Sequence, residues 1–376
     1  MAVNEREIVL DMFLSLKEGK ASHIVLKETL DNYLYLDKVS RAFITRIFEG
    51  TIEKRIYLEY VINSFSKTPV KKLKPIIRIL LETAVYQLFF MDRVPDCAAI
   101  NEAVNLAKKR GLAGLAGFVN GVLRNIARNK TKIELPDKDK EYIKYLEVKY
   151  STPNEVVGHF IEEYGEKKAE EILEAFEKKQ PITARVNGTR LTREELITKL
   201  LEEDVKVSID TVFPESIRIL GLDSLNFLDS FEAGDFVIQD ESSQFIGKIA
   251  ELSAHSKVLD LCAAPGGKTL LMAEKPEVDR VVACDISERK TGLIEENVNR
   301  LCIDKVSILV NDATVFNAEF ENNFDLVICD LPCSGLGVIG RKRDIKYNIT
   351  PKIGLNAGYR LIYDTDPIVP IRKDYN

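Results

Sequence analysis

No run of about 18 uncharged apolar residues occurs in this chain, and a helix needs roughly that length to cross a bilayer. The best candidate, Ile76 to Met91, is interrupted by Arg78 and Glu82 and reads instead as a buried helix. The N-terminus lacks the short apolar core of a signal peptide. Histidine is scarce, with three dispersed residues and no paired CxxC, so the ligand spacing of a zinc site is missing and no metal is expected. The six cysteines (Cys97, Cys262, Cys284, Cys302, Cys329 and Cys333) have no disulfide-framework spacing. That pattern points to a reducing, cytoplasmic setting. Internal repeats and low-complexity tracts are absent as well. What remains is an ordinary soluble composition, 45% hydrophobic and 30% charged, spread over 376 residues. This is enough chain for two or three domains, each with its own core.

The net charge of −6 conceals an asymmetry. Residues 1–134 hold 22 Lys+Arg against 15 Asp+Glu, a net of +7; the remainder holds 31 against 44, a net of −13. Two differently composed domains would give this difference, and so would an N-terminal part that meets a polyanion.

Residues 3–130 carry apolar residues at spacings of three and four throughout, as packed helices do. Ile8, Val9, Phe13 and Leu16 form one stripe; Val39, Phe43, Ile47 and Phe48 form another, followed by Ile56, Leu58, Val61, Ile62 and Phe65. Asp96 is the expected cap of a helix over Ala98–Lys109. Gly111 is its expected stop, after a Lys-Lys-Arg end that suits the helix dipole. The segment resembles the NusB-like domain found ahead of ribosomal RNA cytosine methyltransferases. The resemblance lies in Ile79-Leu-Leu-Glu-Thr-Ala-Val-Tyr-Gln-Leu88, Arg93-Val-Pro-Asp96, Asn101-Glu-Ala-Val104 and Val119-Asn-Gly-Val-Leu-Arg124. It implies RNA binding. Cys97 stands where that family tends to have histidine.

Leu135-Pro136 and the charged Asp137–Glu141 read as a linker. Beyond it, helices over Asn154–Lys179 and Arg193–Glu203 mix with short strands near Thr183–Val186 and Ser216–Ile219. From Lys257 the pattern becomes regular α/β alternation. Strands are expected at Lys257–Leu261, Arg280–Cys284, Val306–Val310 and Phe324–Cys329, with helices from Gly267 and over Ser287–Leu301. Short apolar strands separated by helices imply a parallel sheet covered on both faces, with its ligand at the carboxyl ends of the strands.

Three features fall at those ends. Cys262-Ala-Ala-Pro-Gly-Gly-Lys268 offers small residues for close backbone approach and a helix start whose free N–H groups suit a carboxylate. Asp285 follows the next strand, about 20 residues after the glycine turn, where an acid commonly meets ribose hydroxyls. Asp312 follows the third strand. A triphosphate P-loop is excluded, because its first glycine would fall on Cys262, and the dinucleotide GxGxxG is absent. A purely structural glycine turn is the competing reading.

Val258-Leu-Asp-Leu-Cys-Ala-Ala-Pro-Gly-Gly-Lys-Thr269 and Asp330-Leu-Pro-Cys-Ser-Gly-Leu-Gly337 together resemble the cofactor and catalytic loops of RNA cytosine-C5 methyltransferases. With the N-terminal segment, the chain resembles the bacterial 16S rRNA family RsmB/Sun. Gln180–Asn187 and Phe236–Ser243 resemble stretches leading into its catalytic domain. The implied fold is an all-α NusB-like domain (1–134) and an α+β connecting region (135–240). An incomplete Rossmann-like class I methyltransferase domain (241–351) and a non-family tail (352–376) complete it. The implied cofactor is S-adenosylmethionine, held by Cys262, Ala263, Ala264, Pro265, Gly266, Gly267, Lys268, Asp285, Asp312 (at the adenine) and Asp330. The implied substrate is a cytosine in 16S rRNA of an unassembled or partly assembled subunit, position 967 in the family, met by a monomer without membrane or metal.

Cytosine C5 is a poor nucleophile. The family adds a cysteine thiolate to C6, which makes C5 reactive; after methylation a base takes the C5 proton and the cysteine leaves. The target base must first leave its stack. The resemblance gives Cys333 the role of second cysteine, aiding product release, gives Asp330 the cytosine edge, and makes Lys268 a further pocket residue. The nucleophile of the family sits in a later Thr-Cys pair, and no cysteine follows Cys333 here. In Leu361-Ile-Tyr-Asp-Thr-Asp366, Asp366 occupies the corresponding place. A truncated or frameshifted product is therefore expected, with a bare sheet edge. The second reading is a non-catalytic NusB-like RNA-binding protein that retains part of the cofactor site. Arg341, Lys342 and Lys346 either neutralise phosphates or form a solvated loop.

Overall fold

The computed structural model describes residues 4–16, 20–178, 181–220, 225, 228–331 and 335–347, and the backbone of 360–363. The chain forms two compact units: residues 1–179 with 335–351, and residues 180–334 with 352–376. The first unit thus contains residues 135–179 beside the helices of 1–134.

The first unit is built from α1 (Glu5–Ser15), α2 (Ser22–Asn32), α3 (Lys38–Glu53), α4 (Arg55–Phe65), α5 (Pro75–Phe90), α6 (Asp96–Lys109), α7 (Ala116–Arg128), α8 (Tyr142–Lys149) and α9 (Asn154–Glu177). At its centre lies α5, buried on nearly every side from Ile77 to Leu88. Helices packed on all faces become apolar all round. Glu82 is buried there and its charge is met by Arg78, 2.7 Å away. Among the described residues no helix is long and apolar enough to cross a membrane.

Several local expectations change. Val39 is 79% exposed, and the stripe of α3 runs through Ile44, Ile47 and Phe48 instead. Asp96 is the first residue of α6 rather than its cap; its carboxylate reaches Lys130 at 2.7 Å and lies at the positive end of the helix dipole. Gly111 ends that helix at φ +75°, and the Leu112 N–H returns to the Ala107 carbonyl at 2.9 Å. The long helix α9 breaks at Gly165, φ +74°.

The second unit begins with a four-stranded antiparallel sheet of order β2-β3-β1-β4. Its strands are β1 (Ile182–Val186), β2 (Lys206–Ser208), β3 (Ser216–Leu220) and β4 (Phe236–Ile238); β2 and β4 are too short to stand out by alternation. One face packs on Leu196 and Leu200 of α10 (Arg193–Glu202), which opens with a Thr192/Glu195 capping box. Short helices α11 (Asp229–Glu232), α12 (Glu241–Gln244) and α13 (Ile246–Ile249) lead onward.

The larger sheet has order β7-β6-β5-β8-β9. It comprises β5 (Ser256–Asp260), β6 (Val278–Asp285), β7 (Val306–Val310), β8 (Leu326–Cys329) and β9 (Arg360–Tyr363). The first four are parallel, linked through α14 (Gly267–Ala273) and α15 (Glu288–Leu301). Side chains alternate between two apolar layers. Val258, Val281, Ala283, Leu326 and Ile328 face one; Leu259, Val282, Cys284, Val327 and Cys329 face the other. The edge of β8 is not bare, contrary to the expectation from sequence. β9 pairs with it antiparallel, Leu326 opposite Tyr363 and Cys329 opposite Arg360.

A Cβ added at Gly50 on α3 would overlap the Tyr86 ring on α5. Alanine normally favours a helix over glycine by about 1 kcal/mol, but overpacking costs about 1–3 kcal/mol. Gly50→Ala should therefore lower the denaturant midpoint, a net loss of up to about 2 kcal/mol. In a Tyr86→Leu background the same change should be neutral or stabilising. A gain in the wild-type background would contradict the packing described.

Candidate active site

Four adjacent parallel strands end on the same edge, and each end carries an aspartate. Asp260 is the last residue of β5 and Asp285 the last of β6; Asp312 lies two residues beyond β7 and Asp330 one beyond β8. Between β5 and α14 the chain makes a tight turn. The Ala263 N–H donates to the Cys284 carbonyl (2.9 Å) and the Gly266 N–H to the Ala263 carbonyl (2.7 Å). Gly266 has φ +106°, a conformation that only glycine adopts without strain.

Asp285 ties this turn to the neighbouring strand. Its Oδ2 accepts from the Ala264 N–H at 3.1 Å and its Oδ1 from the Ile286 N–H at 2.8 Å. Lys290 Nζ lies 3.0 Å from Oδ1. Burial works against the charge, but the Lys290 and backbone hydrogen bonds outweigh it and hold the carboxyl below its ordinary range. Lys268, the second residue of α14, forms an ion pair with Asp330. Asp312 accepts at Oδ1 from Thr314, through the backbone N–H (2.9 Å) and the hydroxyl (2.7 Å). The site residues read from sequence thus share one sheet edge, from Cys262 to Lys268 with Asp285, Asp312 and Asp330. Pro332, Cys333 and Ser334 lie outside the described residues.

Sequence reasoning missed Asp260. It is fully buried, and desolvation pushes its carboxyl up to about 6 despite a 2.7 Å hydrogen bond from the Thr269 hydroxyl. Its place as the last strand residue before the glycine turn was the available signal. Gln239 and Arg185 were also missed as individuals. Gln239 Nε2 donates to the Gly267 carbonyl at 3.1 Å, and its Oε1 accepts from Arg185 Nε at 2.8 Å. The buried Arg185 pairs with Glu274 just beyond α14. This polar chain fixes α14 to the small sheet. Asn297 on α15 donates to the Pro265 carbonyl at 3.0 Å.

Cys262 and Cys284 are poor nucleophiles. Burial, with Asp285 and Asp260 adding to it, pushes Cys262 up to about 11; burial pushes Cys284 up to about 12. Both stay protonated near neutral pH, and the thiolate is the reactive form.

The Bacillus subtilis (strain 168) protein named "Probable ribosomal RNA small subunit methyltransferase B" is 34% identical over 349 residues, 92% of this chain and 77% of that protein. The chain belongs to the ribosomal RNA small subunit methyltransferase B family. The Proteus mirabilis (strain HI4320) member is 32% identical over 340 residues, 90% of this chain and 76% of its own length. Residues 3–128 match the NusB family and residues 248–354 the family described as 16S rRNA methyltransferase RsmB/F. Residues 153–222 match the RsmF/B-like ferredoxin-like domain. The crystal structure of PH0851 superposes with a TM-score of 0.73 at 23% identity, covering 93% of this chain and 79% of that one. In this family the helical part is the NusB-like domain, and the parallel sheet is the Rossmann-like core of a methyltransferase.

The Asp260 carboxyl titrates near 6 in the folded chain, against about 3.9 when unfolded. The folded state holds its proton more tightly, so this group favours folding increasingly as pH falls from about 7 to about 4. The span corresponds to about 3 kcal/mol. Asp260→Asn should remove it. Followed by urea unfolding from pH 7 to pH 4, the stability of wild type relative to the variant should rise steadily toward acid, by about 2–3 kcal/mol. A pH-independent difference would rule out the raised carboxyl.

Proposed function

We propose that the strand-end site binds S-adenosylmethionine and that the family reaction served here is methyl transfer to C5 of a cytosine in 16S rRNA. One observation carries the reading: a glycine turn and the acids Asp285, Asp312 and Asp330 sit at neighbouring carboxyl ends of a parallel sheet, where such sheets bind their ligands. The residues fit the cofactor. The positive φ of Gly266 makes the tight turn that leads into α14, and Asp285 is held ionised and fixed from three sides. When bound, the cofactor supplies an electrophilic methyl group.

The protein side of the reaction follows from the positions. Asp285 has acceptor capacity left for a ribose hydroxyl beyond the three donors it already holds. Asp312, beyond β7, faces the adenine end. Asp330 is oriented by Lys268 and takes the amino edge of the flipped cytosine. Cys333, three residues on, is the thiol of the loop. Cys262 and Cys284, protonated at neutral pH, do not compete as nucleophiles. The 376 residues contain no Thr-Cys pair after Cys333. A polypeptide of these residues should therefore bind cofactor and RNA with little or no turnover.

The test is direct. Calorimetric titration of the full chain with S-adenosylmethionine should show one site, weakened at least about tenfold by Asp285→Ala, because a hydrogen bond to a charged group is worth about 1.5–3 kcal/mol. Labelled cofactor and unmodified 16S RNA should then give binding without appreciable label in cytosine C5. No cofactor binding would leave the non-catalytic RNA-binding reading. Robust transfer would show that these residues supply a nucleophile by themselves.

A further inference from the structure

Between Glu59 and Glu82 the chain has no acidic residue, but it has Lys67, Lys71, Lys72, Lys74 and Arg78. The fold gathers them in one place. A short 3-10 turn over Val70–Lys72 is pinned by fully buried Val70, whose N–H donates to Asn63 Oδ1 at 2.9 Å. The turn then closes through Lys72 N–H to the Pro69 carbonyl (2.9 Å) and Leu73 N–H to the Val70 carbonyl (3.1 Å). Lys71, Lys72 and Lys74 therefore project from a fixed ledge, all exposed, and among the described residues no carboxylate forms an ion pair with any of them. The ledge leads into the start of α5, which has Pro75 in its first turn, no side-chain cap and no acid there. Such a helix start adds partial positive charge and open N–H groups.

Beside the ledge is a cavity of about 470 Å³ whose wall includes Arg55, Lys71, Arg78 and Tyr347. Glu59, the one carboxylate on that wall, lies between the two arginines, 3.2 Å from Arg55 and in contact with Arg78. It holds the guanidinium groups in place, and with Glu82 also paired to Arg78 the wall keeps a net positive charge carried mainly by Lys71. A preset cation cluster loses little side-chain freedom on binding, and unmatched lysines on one ledge are the electrostatic footprint of a polyanion.

We propose that this ledge and cavity are a docking surface for the RNA phosphate backbone, with Lys71, Lys72 and Lys74 making the contacts and Arg55 and Arg78 lining the recess. The inference rests on the reading of this protein as one that acts on RNA, and it locates where the helical unit grips that RNA.

The experiment compares two triple variants of the full chain with equal charge loss. One is Lys71→Gln/Lys72→Gln/Lys74→Gln; the control is Lys27→Gln/Lys108→Gln/Lys132→Gln, exposed lysines elsewhere on the same unit. Affinity for unmodified 16S RNA transcribed in vitro is measured from about 50 to 200 mM KCl, with thermal melting to verify that both variants fold. Each lost phosphate contact should lower the slope of log K against log salt by about 0.7–0.9. The ledge variant should bind at least about tenfold more weakly at 100 mM, with a slope reduced by about 2–3, while the control changes less than about threefold. Equal losses in both variants, or wild-type binding by the ledge variant, would overturn the proposal and leave the RNA reading intact. If wild-type chain itself fails to bind the RNA, both fall together.

Discussion

β5 is hydrogen-bonded in parallel on both sides, Val258 opposite Val281 of β6 and opposite Leu326 of β8. Its side chains alternate into two different apolar layers, so a slip of one residue would exchange Val258 and Leu259 between them. The register is thereby fixed, and with it the edge at which four strands stop. That edge collects Asp260, Asp285, Asp312 and Asp330, a concentration of negative charge that isolated carboxylates would not tolerate. Each is settled differently. Asp260 takes a raised affinity for its proton; Asp285 takes Lys290 and two backbone N–H groups; Asp312 is held by Thr314; Asp330 is held by Lys268. The turn at Gly266 is bound into this arrangement through Asp285, so cofactor-side backbone and acid are positioned by the same contacts.

Much of this was legible in the sequence because the periodicities are strong. The apolar runs Val281–Cys284 and Leu326–Cys329 could only be buried strands, and the acids stand immediately beyond them or two residues on. The helical unit announced itself through stripes such as Val39, Phe43, Ile47 and Phe48, although Val39 points to solvent and Ile44 takes its place in the buried stripe. Asp96 was misread because a cap and a first-turn acid share the same composition, and only backbone geometry separates them. β2 and β4 span three residues each, too few for alternation to register. The stretch Leu361–Asp366 echoes the family's later strand in sequence, but the antiparallel pairing of β9 with β8 is a tertiary choice that sequence does not show.

Arg185 and Gln239 illustrate a different limit. Their stretches could be matched to a family, yet the reason for an arginine and a glutamine there emerges only when β1 and β4 are laid side by side, Arg185 opposite Val237. The pair then reaches Gly267 and Glu274 on either end of α14. A buried guanidinium that loses its carboxylate is strongly destabilising, so the small sheet helps hold α14 and the Gly266 turn in place. The protonated state of Cys262 has the same origin. The burial that shapes the turn raises the thiol to about 11 and keeps Cys262 unreactive near neutral pH.

The central claim is that the shared strand edge is a cofactor site, and a crystal structure of the chain with S-adenosylhomocysteine tests it most directly. The account predicts the ligand against the Cys262–Lys268 turn, its ribose hydroxyls on Asp285 and its adenine beside Asp312. Ligand density elsewhere, or a turn left empty at saturating ligand, would contradict it.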